Sequence, residues 1–357
     1  MSDAPILVTG GAGFIGSTLV RHLLANSGTD RVVVVDALTY AGHLASLASV
    51  RSSPRFFFEQ GDVANAAQME AIFRRHRPRA VFHLAAESHV DRSIDGPAAF
   101  VHTNVVGTFT MLEQAQRHWS ALPHDGEARQ TFRFVHVSTD EVFGALESSG
   151  SFVAGSAYRP TSPYAASKAA SDHFARAWKH TYGLPVVVTT CSNNYGPYQF
   201  PEKLIPLAIR KAHAGDAIPV YGRGNQVRDW LHVDDHVAAL VAAWRCGEPG
   251  ATYLFGGRTE RTNLQVVETI CDLLDERLPG DAPRRALIAH VADRPGHDFR
   301  YANDATAAEQ ALGWRPLIDF TSGLRATVEW FLSHESWCEE VQGATYQGQR
   351  LGLGVAA

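Results

Sequence analysis

The pattern of hydrophobic and polar positions changes repeatedly along the first half of the chain. Short β-branched or aromatic runs predict strands at Ile6–Thr9, Arg31–Val35, Arg55–Glu59, Ala80–Leu84, Phe132–Val137 and Val186–Thr190. Longer amphipathic stretches between them predict helices at about 14–26, 66–76, 97–119 and 163–182. The continuously apolar run from Val32 to Val35 fits a strand that helices cover on both faces. This alternation indicates βαβ units, so we predict an α/β fold with a Rossmann-type doubly wound parallel sheet.

The second half of the chain has a looser pattern. Segments interrupted by Pro and Gly are mixed with short helices predicted near 203–214 and 263–276. A helical pattern from Val233 to Trp244 is placed where the chain can return to the first sheet. We therefore predict a dinucleotide-binding domain at 1–190 with a return segment at about 232–258, and a smaller mixed α/β subdomain at 191–231 and 259–340. The remaining residues, 341–357, form a tail.

Composition and charge narrow the function classes. Lys and Arg number 32 against 37 Asp and Glu, which gives a net charge of −5. The chain lacks the basic excess that is typical of proteins that bind nucleic acid or anionic membranes. No apolar run approaches the roughly 20 residues of a membrane span, and no secretory signal begins the sequence. The 4 cysteines are scattered and form no CxxC pair, which fits a reducing cytoplasm. From charge, apolar pattern and cysteines together we expect a cytoplasmic protein with no nucleic-acid and no membrane partner.

A glycine-rich turn follows the first predicted strand and opens the first predicted helix. Its glycines, Gly10, Gly13 and Gly16, allow a tight turn and a close approach of the backbone to a pyrophosphate at the helix N-terminus. Asp36 stands 20 residues beyond Gly16, at the end of the second strand, where a carboxylate can accept hydrogen bonds from an adenosine ribose. No Arg follows it to pair with a 2′-phosphate. The turn therefore predicts NAD rather than NADP as the cofactor.

A phenol and an ammonium group lie one helical turn apart at Tyr164 and Lys168. Ser162 is a candidate N-cap and Pro163 a candidate first residue of this helix. Residues at i and i+4 share a helix face, and a neighbouring cation favours the phenolate. We therefore expect the pKa of Tyr164 to fall from about 10 toward neutrality, so that Tyr164 acts as a base on a substrate hydroxyl.

Two neighbouring acids, Asp140 and Glu141, follow the strand predicted at Phe132–Val137. Ligands of open α/β sheets bind outside the carboxyl ends of the strands, which is where these acids lie. Adjacent side chains of a regular strand point to opposite faces, so both acids meet one substrate only if the chain leaves strand geometry at Asp140. Hydride transfer alone has no use for this extra pair. A dehydratase needs both an acid and a base.

Several motifs together resemble the extended short-chain dehydrogenase/reductase superfamily and, within it, the dTDP-glucose 4,6-dehydratases. The resemblance covers almost the whole chain. Its motifs are Thr9–Gly16, Val35–Gly42, His83–Ser93, Ser138–Val142, the Tyr164/Lys168 pair, Cys191–Pro197, Phe200–Pro206, Arg228–Trp230 and Asp293–His297. The glycine turn and the Tyr/Lys pair mark only the superfamily. The sequence Thr139-Asp140-Glu141 is the specific signal, because epimerases and decarboxylases of this fold usually differ there.

The resemblance implies that the chain converts dTDP-glucose to its 4-keto-6-deoxy derivative with NAD. Tyr164 would take the proton of the C4 hydroxyl while C4 hydride passes to NAD, and Lys168 would support Tyr164 and bind the nicotinamide ribose. Thr139 would hydrogen-bond the C4 oxygen. Glu141 would remove the C5 proton and Asp140 would protonate the departing C6 hydroxyl. Asp140 must then stay protonated near neutral pH.

The resemblance also implies binding residues for cofactor and substrate. The cofactor residues are Gly10, Gly13, Phe14, Ile15, Gly16, Asp36, Thr39, Asp62, Val63, Leu84, Ala86, Thr103, Tyr164, Lys168 and Asn194. The substrate residues, mostly in the smaller subdomain, are Ser88, Thr139, Asn193, Lys203, Leu204, Arg228, Asn263, Asp293 and His297. Arg228 is expected to hold the diphosphate, since a guanidinium binds it bidentately. The helices at 97–119 and 163–182 would pair with those of a second copy in a homodimer.

Alternative functions remain open at this stage. His232 and His236 flank two Asp residues, but the run opens a helical pattern in which the acids suit the first turn, so no metal site is predicted. Another enzyme of the same fold, such as a dehydratase of a different nucleotide sugar, a 4-epimerase or a UDP-glucuronate decarboxylase, is the main rival. A non-catalytic NAD-binding regulator would keep the glycine turn without needing both acids and the Tyr/Lys pair. Thymidine and uridine differ by one methyl group, and no residue of the sequence decides between them.

Overall fold

The computed structural model describes residues 4–343 and Leu351. The strands are β1 (Ile6–Thr9), β2 (Val32–Asp36), β3 (Phe56–Gln60), β4 (Ala80–His83), β5 (Arg133–Thr139), β6 (Val186–Cys191), β7 (Asn193–Tyr195), β8 (Ile218–Tyr221), β9 (Val227–His232), β10 (Thr252–Phe255), β11 (Glu260–Thr262) and β12 (Ile288–Val291). The α-helices are α1 (Phe14–Asn26), α2 (Ala66–His76), α3 (Val90–Asp95), α4 (Pro97–Phe100), α5 (Thr108–Ser120), α6 (Glu127–Thr131), α7 (Pro163–Tyr182), α8 (Leu204–Ala214), α9 (Val233–Cys246), α10 (Asn263–Arg277), α11 (Thr306–Leu312), α12 (Phe320–Ser333) and α13 (Glu335–Gln342).

A parallel sheet of seven strands forms the centre of the larger part. Its order is β10-β6-β5-β4-β1-β2-β3, and every neighbouring pair is parallel. Along β2, Val32 and Val34 face one apolar layer and Val33 and Val35 face the other, as the period of two dictates. The predicted doubly wound fold is confirmed, and the predicted strands agree with the observed ones to within about two residues at each end.

The order of the strands creates a crevice on one edge of this sheet. Successive connections run outward in one direction from β1 to β3 and in the other direction from β4 to β6. The loops that follow β1 and β4 therefore diverge, which opens space at the carboxyl ends of these strands. Ligands of such folds bind at this point.

The helix predicted at 97–119 has an irregular centre. The chain forms α4, then a π-helical turn over Val101–Gly107, and then α5. A side chain at Gly107 would meet Cγ2 of Val63 at 2.6 Å, so the glycine lets the turn approach the loop after β3 closely. Such π turns are frequent at functional sites, and this one carries Thr103.

A smaller part of the chain packs beside the carboxyl edge of the sheet. It contains the mixed sheet β11-β9-β7, the parallel pair β12-β8, and a core in which α8, α10 and α12 meet. The range predicted to return, 232–258, holds α9, which packs on α1, and β10, which joins the large sheet. α11 also packs on α9 and β10, although the predicted division placed it in the smaller part. The exact division into domains stays a prediction.

The end of the chain differs from the predicted tail at its first residues. Val341 and Gln342 belong to α13 and are buried, because that helix packs on α12 and on a short turn at Leu44–Leu47. The rest of the tail, apart from Gly343 and Leu351, lies outside the described residues. Among the described helices, none combines the length and the apolar composition that crossing a bilayer requires.

Candidate active site

A cleft of about 340 Å³ lies at the carboxyl ends of β1, β2, β4, β5 and β6. Its walls include the glycine turn, the loops after β2 and β4, the end of β5 and the first turns of α7. The smaller part contributes the segment from Gln199 to Lys203. The cleft thus occupies the crevice that the strand order creates.

The glycine turn has the geometry of a phosphate-binding cradle. Gly10 has a φ of 68°, and a Cβ there would lie 2.7 Å from the backbone nitrogen of Ala85. A Cβ on Gly16 would lie 2.1 Å from the carbonyl oxygen of Gly10. Gly13 caps α1 without a side chain, so the first amides of the helix have no side-chain acceptor. These amides remain available to a pyrophosphate.

Asp36 links the glycine turn to the loop after β2. Its Oδ2 accepts a hydrogen bond from the amide of Ala12 at 2.9 Å, and its Oδ1 accepts from the amide of Leu38 at 2.8 Å. Burial raises the pKa of this carboxyl, and the two amides oppose the rise. The side chain therefore holds the loop in place at the position where the sequence predicts a ribose contact. These features, with the glycine cradle, fit NAD.

Asp140 and Glu141 both lie just beyond the end of β5, in a turn. β5 ends at Thr139, and a 3₁₀ turn begins at Asp140 and continues to Phe143. Oγ1 of Thr139 accepts from the amide of Glu141 at 3.3 Å and caps this turn. Both acids line the cleft as a result. The chain thus leaves strand geometry at Asp140, which is the condition stated above for both acids to meet one substrate.

The two acids differ in their electrostatic surroundings. Asp140 is 2 % exposed, and its Oδ2 is buried without a hydrogen-bond partner. Burial raises the pKa of Asp140 well above its usual range, and the charges of Glu141 and Asp229 raise it further. Burial also raises the pKa of Glu141, but the cations Arg294, Arg228 and Lys203 oppose that rise.

Tyr164 and Lys168 enter the cleft from the first turns of α7. Ser162 caps this helix by accepting the amide of Ala165 at 3.1 Å, and Pro163 is its first residue, as predicted. Nζ of Lys168 donates to the carbonyl oxygen of Val137 at 2.7 Å. Both side chains are buried, and both line the cleft.

The expected fall in the pKa of Tyr164 is not found in the protein alone. Burial raises the pKa of this phenol well above its usual range, and the negative charge of Glu141 raises it further. A side-chain hydrogen bond with Thr139 only partly opposes this rise. The expectation was wrong because the sequence does not show that Tyr164 is buried beside a carboxylate.

Most of the predicted site residues line this one cleft. All predicted catalytic and cofactor residues are among its lining residues, and so are four of the predicted substrate residues, namely Ser88, Thr139, Asn193 and Lys203. The other five do not line it. They are Leu204, Arg228, Asn263, Asp293 and His297, all in the smaller part. Within the described residues, no group of three or more potential ligands is arranged to hold a metal ion.

Backbone carbonyl oxygens hold one end of the Arg228 guanidinium group. Its Nη1 donates to the carbonyl oxygens of Val227 at 2.8 Å and Phe299 at 3.3 Å, and its Nη2 donates to that of Asp298 at 3.0 Å. The guanidinium carbon also lies 4.3 Å from the centre of the Tyr301 ring. These hydrogen bonds use Nη1 and one hydrogen of Nη2, so two of the five N–H groups of Arg228, those on Nε and Nη2, have no acceptor among the described residues.

A buried ion pair near Glu141 was not predicted from the sequence. Nη1 of Arg294 lies 2.6 Å from Oδ1 of Asp91, and the hydroxyl of Tyr221 donates to Oδ2 of Asp91 at 2.8 Å. Asp91 is in the motif at 83–93 and Arg294 in the motif at 293–297, so each was near a quoted signal. Their pairing across the fold gave no signal in the sequence. His297 beside them stays neutral, because burial and then the charge of Arg294 lower its pKa to about 4.

Comparison with known proteins agrees with this geometry. The family model described as GDP-mannose 4,6 dehydratase matches residues 7–327. A dTDP-glucose 4,6-dehydratase of Shigella flexneri is 56% identical over 351 residues, which cover 96% of this chain and 96% of that protein. One of Neisseria meningitidis serogroup B is 53% identical and covers 98% of this chain and 99% of its own.

Solved structures give the same result. The dTDP-glucose 4,6-dehydratase DesIV of Streptomyces venezuelae, solved with NAD and TYD bound, superposes with a TM-score of 0.86 at 45% identity. The match covers 94% of this chain and 99% of that one. The resemblance read from the motifs is thereby confirmed: the chain belongs to the dTDP-glucose 4,6-dehydratase family.

Proposed function

We propose that this chain is an NAD-dependent hydro-lyase that converts dTDP-glucose into dTDP-4-keto-6-deoxyglucose. The family relationship supports the activity and the cofactor. The observation that carries the assignment of residues is that both Asp140 and Glu141 line the cleft that also holds Tyr164 and Lys168. An enzyme that removes water across C5 and C6 needs this second acid and base.

The cofactor would occupy the half of the cleft formed by the glycine turn and the loops after β2, β3 and β4. The N-terminal amides of α1 would bind its pyrophosphate, and Asp36 would accept hydrogen bonds from the hydroxyls of its adenosine ribose. When bound, NAD takes up a hydride at C4 of the sugar and returns it at C6. Lys168, on α7, would donate to the second ribose.

In the oxidation at C4, the chain handles one proton. Tyr164 would accept the proton of the C4 hydroxyl once it has reached its phenolate form in the bound complex, because in the protein alone burial and Glu141 raise its pKa. Thr139 would donate a hydrogen bond to the oxygen that becomes the ketone. Thr139 and Tyr164 are already within side-chain hydrogen-bond reach of each other. This closeness supports the proposal that both contact one substrate oxygen.

In the loss of water, the two acids handle one proton each. The new ketone acidifies the C5 hydrogen, which Glu141 removes as a proton. Asp140 gives its proton to the C6 hydroxyl, which leaves as water, and Glu141 returns a proton to C5 when the hydride arrives at C6. Tyr164 gains the one proton that Asp140 loses, so exchange with solvent restores both groups. The unpartnered Oδ2 of Asp140 is the atom suited to carry the donated proton.

The proposal extends to the domains and to the oligomer. The larger part, 1–190 with 232–258, would bind NAD, and the smaller part would bind the sugar nucleotide. We propose a homodimer through α5, α7 and the π turn between α4 and α5, because apolar side chains are exposed there. They are Val101, Val106, Phe109, Phe174 and Tyr182, with exposed fractions of 54%, 41%, 37%, 36% and 52%. The cytoplasmic location remains a prediction from composition.

An assay with a panel of sugar nucleotides tests the activity. The protein is incubated with the glucose derivatives of dTDP, UDP, GDP and CDP, and the 4-keto-6-deoxy product is detected by its absorbance in alkali and by NMR. We expect the product from dTDP-glucose with no added reductant. A product inverted at C4 with its C6 hydroxyl retained would instead show a 4-epimerase. Binding of NAD without any conversion would favour the regulator.

A further inference from the structure

A buried carboxylate lies beneath the cleft, one helical turn beyond Lys168. Asp172 is on α7 and has no exposed surface. Its Oδ1 accepts from Nε2 of His136 at 2.9 Å. Its Oδ2 accepts from the hydroxyl of Ser138 at 2.8 Å and from that of Tyr158 at 2.6 Å. Three donors thus converge on a carboxylate to which the proposed reaction assigns no step.

The surroundings keep Asp172 negatively charged. Burial would raise its pKa, but hydrogen bonds from His136 and Tyr158, with the positive charge of Lys168, hold the pKa below its usual range. His136 itself stays neutral because burial lowers its pKa, and its Nδ1 is buried without a partner. The imidazole therefore donates a hydrogen bond without neutralising the carboxylate.

Lys168 is the cation that this buried charge balances. Its ammonium group is hydrogen-bonded to the carbonyl oxygen of Val137, and among the described residues no carboxylate oxygen lies within 4.0 Å of it. Burial lowers the pKa of Lys168, and the charge of Asp172 is the largest influence that opposes this. Residues at i and i+4 share a helix face, so the two opposite charges lie near each other within the buried layer without an ion-pair contact. An isolated buried ammonium group would lose its proton instead.

The same carboxylate also holds the strand that delivers the acids. His136 and Ser138, which donate to Asp172, flank Val137, which accepts from Lys168. Helix α7 and strand β5 are therefore joined by hydrogen bonds at three consecutive residues of the strand. Thr139 follows immediately, and the acids follow Thr139.

We propose that Asp172 is a positioning residue that keeps Lys168 protonated and fixes the end of β5 against α7. The proposal rests on the function proposed above, in which a charged Lys168 supports the phenolate of Tyr164. It assigns no contact between Asp172 and substrate or cofactor. Without Asp172, the buried ammonium group of Lys168 would keep its hydrogen bond to the carbonyl oxygen of Val137 but would lose the nearby negative charge.

Other titratable groups face this pair from each element packed against it. None is a second carboxylate that replaces Asp172. They are His83 on β4, His136 on β5, Cys191 on β6, Tyr158 in the segment before α7, and Tyr164 and Arg176 on α7 itself. Burial lowers the pKa of both histidines and raises that of the cysteine thiol and of the Tyr158 phenol, so these four groups are uncharged near neutral pH. In the protein alone, burial also raises the pKa of Tyr164.

The test uses the small number of lysines in the chain. There are 4, at positions 168, 179, 203 and 211, so the side-chain NMR signals of labelled lysine can be followed one by one across pH in the NAD-bound protein. In Asp172→Asn we expect the titration midpoint of Lys168 to fall by about one pH unit or more, as removal of a close opposite charge requires. The midpoint of Lys203, whose pKa burial also lowers but which lies on the smaller part, should not move. The falling alkaline limb of kcat against pH should shift in the same direction as Lys168.

Three further variants guard against loss of folding. Asp172→Glu keeps the charge and should restore the alkaline limb. The double variant Tyr158→Phe/Asp172→Asn removes the hydroxyl that would otherwise face the new side-chain amide group. Tyr158→Phe alone keeps the charge of Asp172 and should leave the titration midpoint of Lys168 unchanged. An unchanged midpoint of Lys168 in either Asn variant would overturn the proposal, and so would a uniform loss of kcat with no shift of the limb. The lysine titration needs no turnover, so it gives its answer even if the assay with dTDP-glucose shows that the proposed function is wrong.

Discussion

Replacement of Arg294 by Met should leave Glu141, the proposed base of the elimination step, protonated up to a higher pH. Arg294 is the largest of the cationic influences that hold down the pKa of Glu141, ahead of Arg228 and Lys203. Glu141 acts as a base only when it is ionised. Removing the guanidinium raises the pKa of Glu141 further, so the acidic limb of kcat against pH should move to higher pH.

The size of this shift follows from the number of cations that remain. A single opposite charge within about 4–6 Å shifts a carboxyl pKa by roughly 1–3 units. Arg228 and Lys203 are still present in the variant, so we expect a shift near the lower end, about one unit. One unit corresponds to about 1.4 kcal/mol, or a tenfold loss of kcat at pH values below the limb.

The assay measures kcat at saturating dTDP-glucose across pH, with incorporation of solvent deuterium at C5 as a second readout. Saturation is required because kcat reports the ionisation of the bound complex. Arg294→Lys keeps a cation at this position and should leave the acidic limb near that of the wild type. If Arg294→Met folds, binds NAD and shows an unshifted limb, Arg294 does not set the charge of Glu141.

Three other changes should have distinct effects. Glu141→Gln should bind NAD and substrate but abolish deuterium exchange at C5, and undiminished exchange would exclude Glu141 as the base. Gly16→Ala would place a Cβ 2.1 Å from the carbonyl oxygen of Gly10, so titration with NAD should show binding lost or greatly weakened; Gly28→Ala, with nothing within 4 Å, should bind NAD like the wild type. Phe109→Lys places a charge in the exposed apolar patch beside Phe174 and should shift sedimentation from dimer to monomer at micromolar concentration; a monomeric wild type would contradict the proposed dimer.

Local patterns in the sequence determined most of the fold. The strands and the glycine turn are specified by neighbouring residues, so their bounds were predicted closely. The π turn at Val101–Gly107 was not predicted, because the amphipathic pattern runs across it without a break. The pair Asp91–Arg294 joins residues 203 positions apart, and only the folded chain brings them together. The predicted helix that carries Tyr164 and Lys168 is confirmed. The pKa of Tyr164, in contrast, depends on burial that no local pattern reveals.

The roles proposed for the two acids are based on the charges that surround each of them. Asp140 and Glu141 are adjacent in the chain and share one buried turn, so burial alone raises the pKa of both. The next influence on Asp140 is repulsion by two carboxylates, whereas the next influence on Glu141 is attraction by three cations. Environments that drive two carboxyl groups apart in this way make one the acid and the other the base. Those cations come from separate segments of the smaller part. The sequence of an Asp-Glu pair at the end of a strand therefore does not show which carboxyl group has the higher pKa, because the difference depends on how the smaller part packs.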